Sequence, residues 1–356
     1  MPALAVSAEL KRRGAEVRFV GSTRPEDRRL VEAAGFPFEA ISTGKFRRYF
    51  SLQTLLEPFR TYAGYRQSLK IIKAFRPDVV FAKGGFAAVP VVRAAKRRGV
   101  PIVLHESDLV PGLANRIGAR YAAAIAVSFP VDQMTWQAKC PVVFTGNPLR
   151  TGAAAGRAVR AQQALGLEAR RPLVLVLGGS QGARQLNQIV QDALPELLPE
   201  TQVVHQVGER WAPDAAAVRD GLPSELSERY QYRGFFGHEL FDLLAAADLV
   251  VSRAGAGGLA EIAVNGQPSV LVPLPTAASD HQRANAEVFK RAGASVVLDE
   301  EKLAPAELAH TVKKLLHDPT RRLRMGRAAK SLAKPEAAAE VAELVRKVGQ
   351  GEHVSV

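Results

Sequence analysis

The sequence predicts an α/β protein of two Rossmann-like halves, each a parallel sheet covered on both faces by helices. Three observations lead there. Short apolar, β-branched runs alternate with amphipathic stretches along the whole chain, the pattern of strands buried on both faces. Glycine-rich turns recur where a strand runs into a helix, at residues 83–86, 178–184 and 255–258. A length of 356 residues with 47% hydrophobic content exceeds one ordinary domain and suits two.

In chain order, residues 2–13 form an amphipathic helix with Pro2 in its first turn and Gly14 at its end, followed by a strand over 17–20. Further strands are expected over 79–82, 102–104 and 124–127. Thr145-Gly146-Asn147-Pro148 then breaks the pattern, and an Ala- and Arg-rich stretch fills 151–171. The domain boundary is therefore placed at Arg150, giving an N-terminal domain over 1–149 and a C-terminal domain over 150–335. The second half carries strands over 173–177, 201–206, 230–234, 249–251, 269–272 and 295–298. A last helix over 336–348, within a tail spanning 336–356, follows Pro335 and is free to pack on either half.

Composition narrows the function. The single cysteine, Cys140, rules out an intramolecular disulfide and a cysteine-based metal cluster, and reads as a small buried hydrophobe. There is no apolar run of about 18 residues and no charged-then-apolar start, so neither membrane spanning nor secretion is expected. The formal net charge of +13 is unevenly placed: residues 1–150 hold 24 Lys and Arg against 11 Asp and Glu, whereas the remainder is balanced. That asymmetry turns the first half towards a polyanion, nucleic acid or an anionic membrane. No nucleic-acid motif is present, so nucleic acid is not expected as a partner. Residues 45–65 interleave Lys45, Arg47, Arg48 and Arg60 with Phe46, Tyr49, Phe50, Phe59 and Tyr62. This is the composition of a segment lying on anionic lipid, although a core-facing helix can share it.

The stretch with most chemistry is ADLVVSRAGAGGLAEI, where a strand runs into Gly255, Gly257 and Gly258 and a helix opens. Glycines there bring backbone N–H groups close to a ligand, and the helix start favours phosphate. Glu261, one turn inside, suits a sugar's hydroxyls better than phosphate. After the strand over 269–272 a polar loop delivers Asp280, His281, Gln282 and Asn285, so the whole reads as a nucleotide-sugar site. GGSQGAR at 178–184 is a second strand-to-helix glycine turn; it is neither a Walker A motif nor a dinucleotide fingerprint, and Ser180 and Gln181 at its mouth favour a site over tight packing. In the first half KGGF and HESD end successive strands, so their loops should face a common crevice. His105 and Glu106 there are either an acid–base pair or a hydrogen-bonded pair in a supporting layer. No DxD-like carboxylate pair precedes a strand end, so neither a divalent metal nor a cofactor is expected.

Taken together, PALAVSAELKRRG, KGGF, HESDLVPGLANR, GNPLR, GGSQGARQLN, SRAGAGGLAEI and DHQRANA resemble the MurG family of peptidoglycan glycosyltransferases, in the family's order and along essentially the whole chain. The resemblance implies a GT-B fold, two domains facing across a cleft. It further implies inverting transfer of N-acetylglucosamine from UDP-GlcNAc to the muramyl sugar of an undecaprenyl-pyrophosphate-linked MurNAc-pentapeptide, converting lipid I to lipid II. Such a protein works peripherally on the cytoplasmic face of the plasma membrane, in cell wall synthesis. Carried onto this chain, the donor site comprises Ser180 at the diphosphate, Phe236 beside uracil, the turn Ala256, Gly257, Gly258, Leu259 and Ala260, Glu261 on the ribose and Gln282 on the sugar. Arg150, Arg253 and Asn285 match further polar positions, while His105, Glu106 and Asn115 match the acceptor side.

Two departures carry expectations. HESD stands where the family reads HEQN, so Asp108 replaces an amide with a side chain that only accepts hydrogen bonds when ionised. The family's first strand and TGGH loop, with its histidine base, would precede Met1, which leads to the expectation of donor binding with little transfer. Another GT-B enzyme, such as a glycolipid transferase or UDP-sugar epimerase, or an inactive UDP-sugar binder, are the competing readings.

Overall fold

The computed structural model describes residues 2–44, 57–134, 138–179 and 182–354. It divides into two compact units, Met1–Arg150 with Pro335–Val356, and Thr151–Lys334. Most of the basic, aromatic segment at 45–65, including Arg47 and Arg48, lies outside the described residues.

The first unit runs α1 (Pro2–Arg12), β1 (Phe19–Gly21), α2 (Pro25–Ala33), β2 (Phe38–Ala40), α3 (Glu57–Phe75), β3 (Val80–Ala82), α4 (Ala88–Arg98), β4 (Ile102–Glu106), α5 (Leu113–Gly118), β5 (Ala124–Val127) and β6 (Val142–Phe144). Strands β3 to β6 form a four-stranded parallel sheet in sequential order, and β1 pairs with β2 in a separate parallel pair. Every residue of β4 and β5 is buried, and alternation decides which face each one covers. Ile102, Leu104, Ile125 and Val127 point to the core shared with Ile72 of α3 and Val92 of α4. Val103, Ala124 and Ala126 point the other way, against Val6 and the last helix, Ala337–Gly349. The small Ala124 and Ala126 give that helix room, and Val341, Leu344, Val345 and Val348 recur on one face at helical spacing. The choice left open by the sequence is thus settled in favour of the first unit. Cys140 is half-buried at the edge of the α3 and α4 core.

The second unit contains β7 (Leu173–Leu177), β8 (Gln202–Gln206), β9 (Tyr230–Arg233), β10 (Leu249–Ser252), β11 (Ser269–Leu271) and β12 (Ser295–Val297), paired in the order β12-β11-β10-β7-β8-β9, all parallel. The helices are α6 (Ala158–Leu165), α7 (Arg184–Leu197), α8 (Ala212–Asp220), α9 (Ser224–Ser227), α10 (Glu239–Ala246), α11 (Ala256–Asn265), α12 (His281–Arg291), α13 (Pro305–Leu316) and α14 (Pro319–Ser331), which makes the last helix of the chain α15. From β7 the chain proceeds outward through β8 and β9, then returns to the other side for β10. The loops after β7 and β10 therefore diverge at a topological switch point, where open α/β sheets hold their ligands.

Two short strands, β2 and β6, were not expected from the sequence. Each is three residues long, too short to show a period, and β6 runs straight into the Thr145-Gly146 break.

Candidate functional site

At the switch point of the second unit two glycine turns lie side by side. The turn after β7 starts with Gly178, where an added Cβ would meet the Gln206 carbonyl at 3.1 Å and the Asn187 side chain at 3.2 Å. It ends with Gly182, at φ +73°, where a Cβ would fall 2.5 Å from the Val207 carbonyl and 2.6 Å from Trp211. Only glycine fits there. Ser180 and Gln181, between them, lie outside the described residues.

The turn after β10 is braced from beneath. The Ser252 hydroxyl donates to the Arg253 carbonyl at 2.9 Å, and Asn285, wholly buried on α12, donates through Nδ2 to the Ala254 carbonyl at 3.1 Å. Arg253 turns inward: its guanidinium donates to the Val272 carbonyl at 3.0 Å and to Glu300 at 2.5 Å, both side chains being buried. Arg253 and Asn285, matched to the donor site by sequence, thus hold the turn from within. Gly255 then caps α11 in extended conformation with no side-chain cap, so the leading N–H groups of Ala256, Gly257 and Gly258 have no side chain closing them off. Leu259 lies in the core at 1% exposure and its N–H bonds to Gly255, so its contribution to the turn is packing. Ala260 and Glu261 follow on α11, both part-exposed.

Gln282 stands in the first turn of α12, its Oε1 accepting from the Leu274 N–H at 3.0 Å, which leaves its amide N–H groups as donors. The loop before it carries Ser279 and Asp280 at φ +56° and +54°, two consecutive left-handed residues that are not glycine. Such strain persists only where the surroundings hold it and concentrates at ligand sites. Phe236 differs from the expectation of a side chain beside a base: it is 2% exposed, whereas its neighbour Phe235 is 50% exposed. Phe236 can offer its backbone carbonyl, its N–H being bonded to Gln206 at 3.2 Å, and Phe235 presents the open aromatic face. The sequence reading missed Phe235 because adjacent phenylalanines carry no signal for which one faces out.

In the first unit the ends of β3 and β4 gather Lys83, His105, Glu106, Ser107, Asn115 and Asn147. Lys83, part-buried, donates to the Ser107 hydroxyl, and Ser107 donates to Asn147 at 3.3 Å. Burial holds the Lys83 amine down to about 8, with Glu106 and Asp108 pulling the other way. Gly84 and Gly85 follow at φ +87° and +78°, and Phe86 is exposed. Glu106 is fully engaged: its carboxylate accepts from the Asp108 N–H at 3.1 Å, the Gly112 N–H at 2.9 Å and Asn115 Nδ2 at 2.9 Å. His105 is wholly buried, its Nε2 3.1 Å from the Gly146 carbonyl, and burial, aided by the Lys83 charge, holds the ring down to about 3. The acid–base role expected of these two residues does not suit such surroundings. A carboxylate saturated by three donors and a ring sealed from solvent shape the loop that carries Asp108 and Asn115. Arg150 closes the unit, at its boundary.

Among the described residues no group of three or more His, Cys, Asp or Glu side chains converges as a metal site, and no helix is long and apolar enough to cross a membrane.

Two parallel α/β units with glycine turns at the carboxyl ends of their strands are the architecture of GT-B enzymes. Within that class the chain belongs to glycosyltransferase family 28, whose N-terminal domain matches residues 1–127 and whose C-terminal domain matches residues 173–341. A UDP-N-acetylglucosamine--N-acetylmuramyl-(pentapeptide) pyrophosphoryl-undecaprenol N-acetylglucosamine transferase of Lachnoclostridium phytofermentans is 40% identical over 87% of this chain and 85% of its own length. Its namesake in Lachnospira eligens is 38% identical over 89% and 87%. The crystal structure of MurG from Acinetobacter baumannii superposes with a TM-score of 0.77 at 27% identity, covering 97% of this chain and 95% of that one.

Proposed function

We propose that this glycosyltransferase moves N-acetylglucosamine from UDP-GlcNAc to the MurNAc of undecaprenyl-pyrophosphate-linked MurNAc-pentapeptide, with inversion, as a peripheral protein on the cytoplasmic face of the plasma membrane. The observation that carries the donor half is the start of α11, where N–H groups with no side-chain cap and a helix dipole meet a carboxylate one turn on. Diphosphate oxygens suit the N–H groups; ribose hydroxyls suit Glu261; the amide of Gln282 suits the sugar. As the glycosidic bond to UDP breaks, negative charge grows on the diphosphate, and preorganised N–H donors stabilise that charge more than the ground state. On the acceptor side Lys83 and the Gly84-Gly85 turn suit an anionic pyrophosphate, with Glu106 and Asn115 fixing the neighbouring loop.

The donor reading is tested by Glu261→Ala. Losing hydrogen bonds to a charged group weakens UDP-GlcNAc binding by about 1.5–3 kcal/mol in calorimetry. A folded variant with unchanged affinity would refute the assignment, and absence of transfer from UDP-GlcNAc to the lipid-linked acceptor by the wild-type chain would refute the activity.

The membrane partner is supported by a groove of about 560 Å³ between α3 and α4, lined by Tyr62, Tyr65 and Tyr121 with Arg93, Lys96 and Arg97 and, among the described residues, by no carboxylate. Phe59 and Tyr62 are exposed beside it. Aromatic rings with cations suit the headgroup layer of anionic lipid. Each cation contributes about 1 kcal/mol at such a surface, so the paired change Arg93→Gln and Arg97→Gln lowers partition onto phosphatidylglycerol vesicles by roughly thirtyfold at low salt. The difference shrinks as salt rises. Equal binding to neutral vesicles would count against anionic lipid as the partner.

A further inference from the structure

We infer that Gln206 is a positioning residue that sets the two donor loops of the second unit against each other; this rests on the donor site proposed above. Strand β8 lies between β7 and β9, and Gln206 is its last residue. On one side it pairs with Leu177, the last residue before the glycine turn; on the other it pairs with Arg233, the last before the Phe235-Phe236 loop. Its own atoms then reach into both loops. The Gln206 carbonyl accepts from the Gly178 N–H at 3.2 Å, and its side-chain Oε1 accepts from the Phe236 N–H at 3.2 Å.

The residue is 5% exposed, so these bonds form away from water, where a lost partner costs most. The packing around it makes the link stiff. Val207 and Gly208 continue the ladder to Arg233 and Gly234, and Asn187, from the helix that the glycine turn opens, donates to the Val207 carbonyl at 2.8 Å. Asn187 is held in turn by His205, at 3.2 Å. The glycine turn after β7 and the Phe235-Phe236 loop are therefore registered through one residue, by its carbonyl on one side and its amide oxygen on the other. Backbone hydrogen bonds along the strands fix each loop's root, and the Gln206 amide oxygen reaches further, to the Phe236 N–H.

The test compares Gln206→Met, which keeps length and burial but cannot accept, with Gln206→Glu, which keeps the acceptor. Wild type and variants are titrated with UDP-GlcNAc, UDP and CDP, and steady-state transfer gives KM and kcat for the donor. Gln206→Met is expected to raise the donor KM and the UDP dissociation constant by about threefold to tenfold, the worth of one buried hydrogen bond. Its kcat stays within about twofold and its preference for UDP over CDP narrows, while Gln206→Glu returns all three towards wild type. Lower thermal stability with unchanged affinity and base preference would overturn the inference, as would a Glu variant as weak as the Met variant. If Gln206→Met does not fold, Gln206→Asn, one methylene too short to reach Phe236, is read by the same criteria. Failure of the wild type to bind UDP-GlcNAc would overturn the donor site itself; normal wild-type binding with an unaffected variant would overturn only the role of Gln206.

Discussion

Each unit is expected to lose about 2 kcal/mol of stability between pH 6.5 and pH 5 through a single buried histidine. His205 in the second unit is wholly buried between Asn187 and Tyr230, both ring nitrogens bonded, and burial holds its ring down to about 3. His105 in the first unit is likewise wholly buried, with its Nε2 bonded to the Gly146 carbonyl, and burial with the Lys83 charge holds its ring down to about 3. In the unfolded chain both protonate near 6.5, so as pH falls below 6.5 the unfolded state takes up a proton that the folded state refuses. Stability that is complete above 6.5 is therefore lost at about 1.4 kcal/mol per pH unit per histidine, down towards 3. Glu9 and Glu343, whose arginine partners hold them below the ordinary carboxylate range, add their losses only at lower pH. Urea unfolding followed by Trp211 fluorescence in a Trp136→Phe background reports the second unit, because the Trp211 ring packs on Gly182. His205→Gln should flatten its pH dependence in this window; an equally steep fall in the variant would show that the histidine is not the cause.

How much of the molecule could be read from the chain depends on the range of the interaction involved. The strand, glycine turn and helix from Leu249 to Asn265 are local, and both their existence and their chemistry follow from neighbouring residues. Gly182 is local in sequence, yet the reason it must be glycine, the ring of Trp211, comes from the next strand's loop. Gln206 carries no motif at all: its importance comes from hydrogen bonds to residues 28 and 30 positions away, which no periodicity marks. The same limit applies to Glu106. Its type and place at a strand end were visible, and they suggested a proton carrier; that three donors already saturate it depends on how residues 107–115 fold back. The docking of α15 was open for a related reason, since an apolar stripe says that a helix is covered but not by what. The small residues Ala124 and Ala126 answer that only once β5 is seen edge to edge with β4.

Glu300→Ala is expected to be among the most damaging single changes in the second unit, costing about 3–5 kcal/mol. Glu300 is 2% exposed and sits against Arg253, which is 8% exposed, so removing the carboxylate strands a buried guanidinium with the Val272 carbonyl as its remaining bonded partner. Losing one partner is costly because the other charge keeps its desolvation penalty without its compensation. The damage should extend to ligand binding. Arg253 belongs to the turn between β10 and α11, so a guanidinium that seeks water carries that turn with it and misplaces the N–H groups of Ala256 and Gly257. Replacing both partners, Arg253→Met with Glu300→Leu, removes both charges and should recover most of the stability, since buried ion pairs exchange for apolar residues at little net cost. Guanidinium denaturation of the single and double variants, with calorimetry of UDP binding, reads both effects. A single variant within about 1 kcal/mol of wild type would mean that water reaches the guanidinium and that the pair is not what holds the turn.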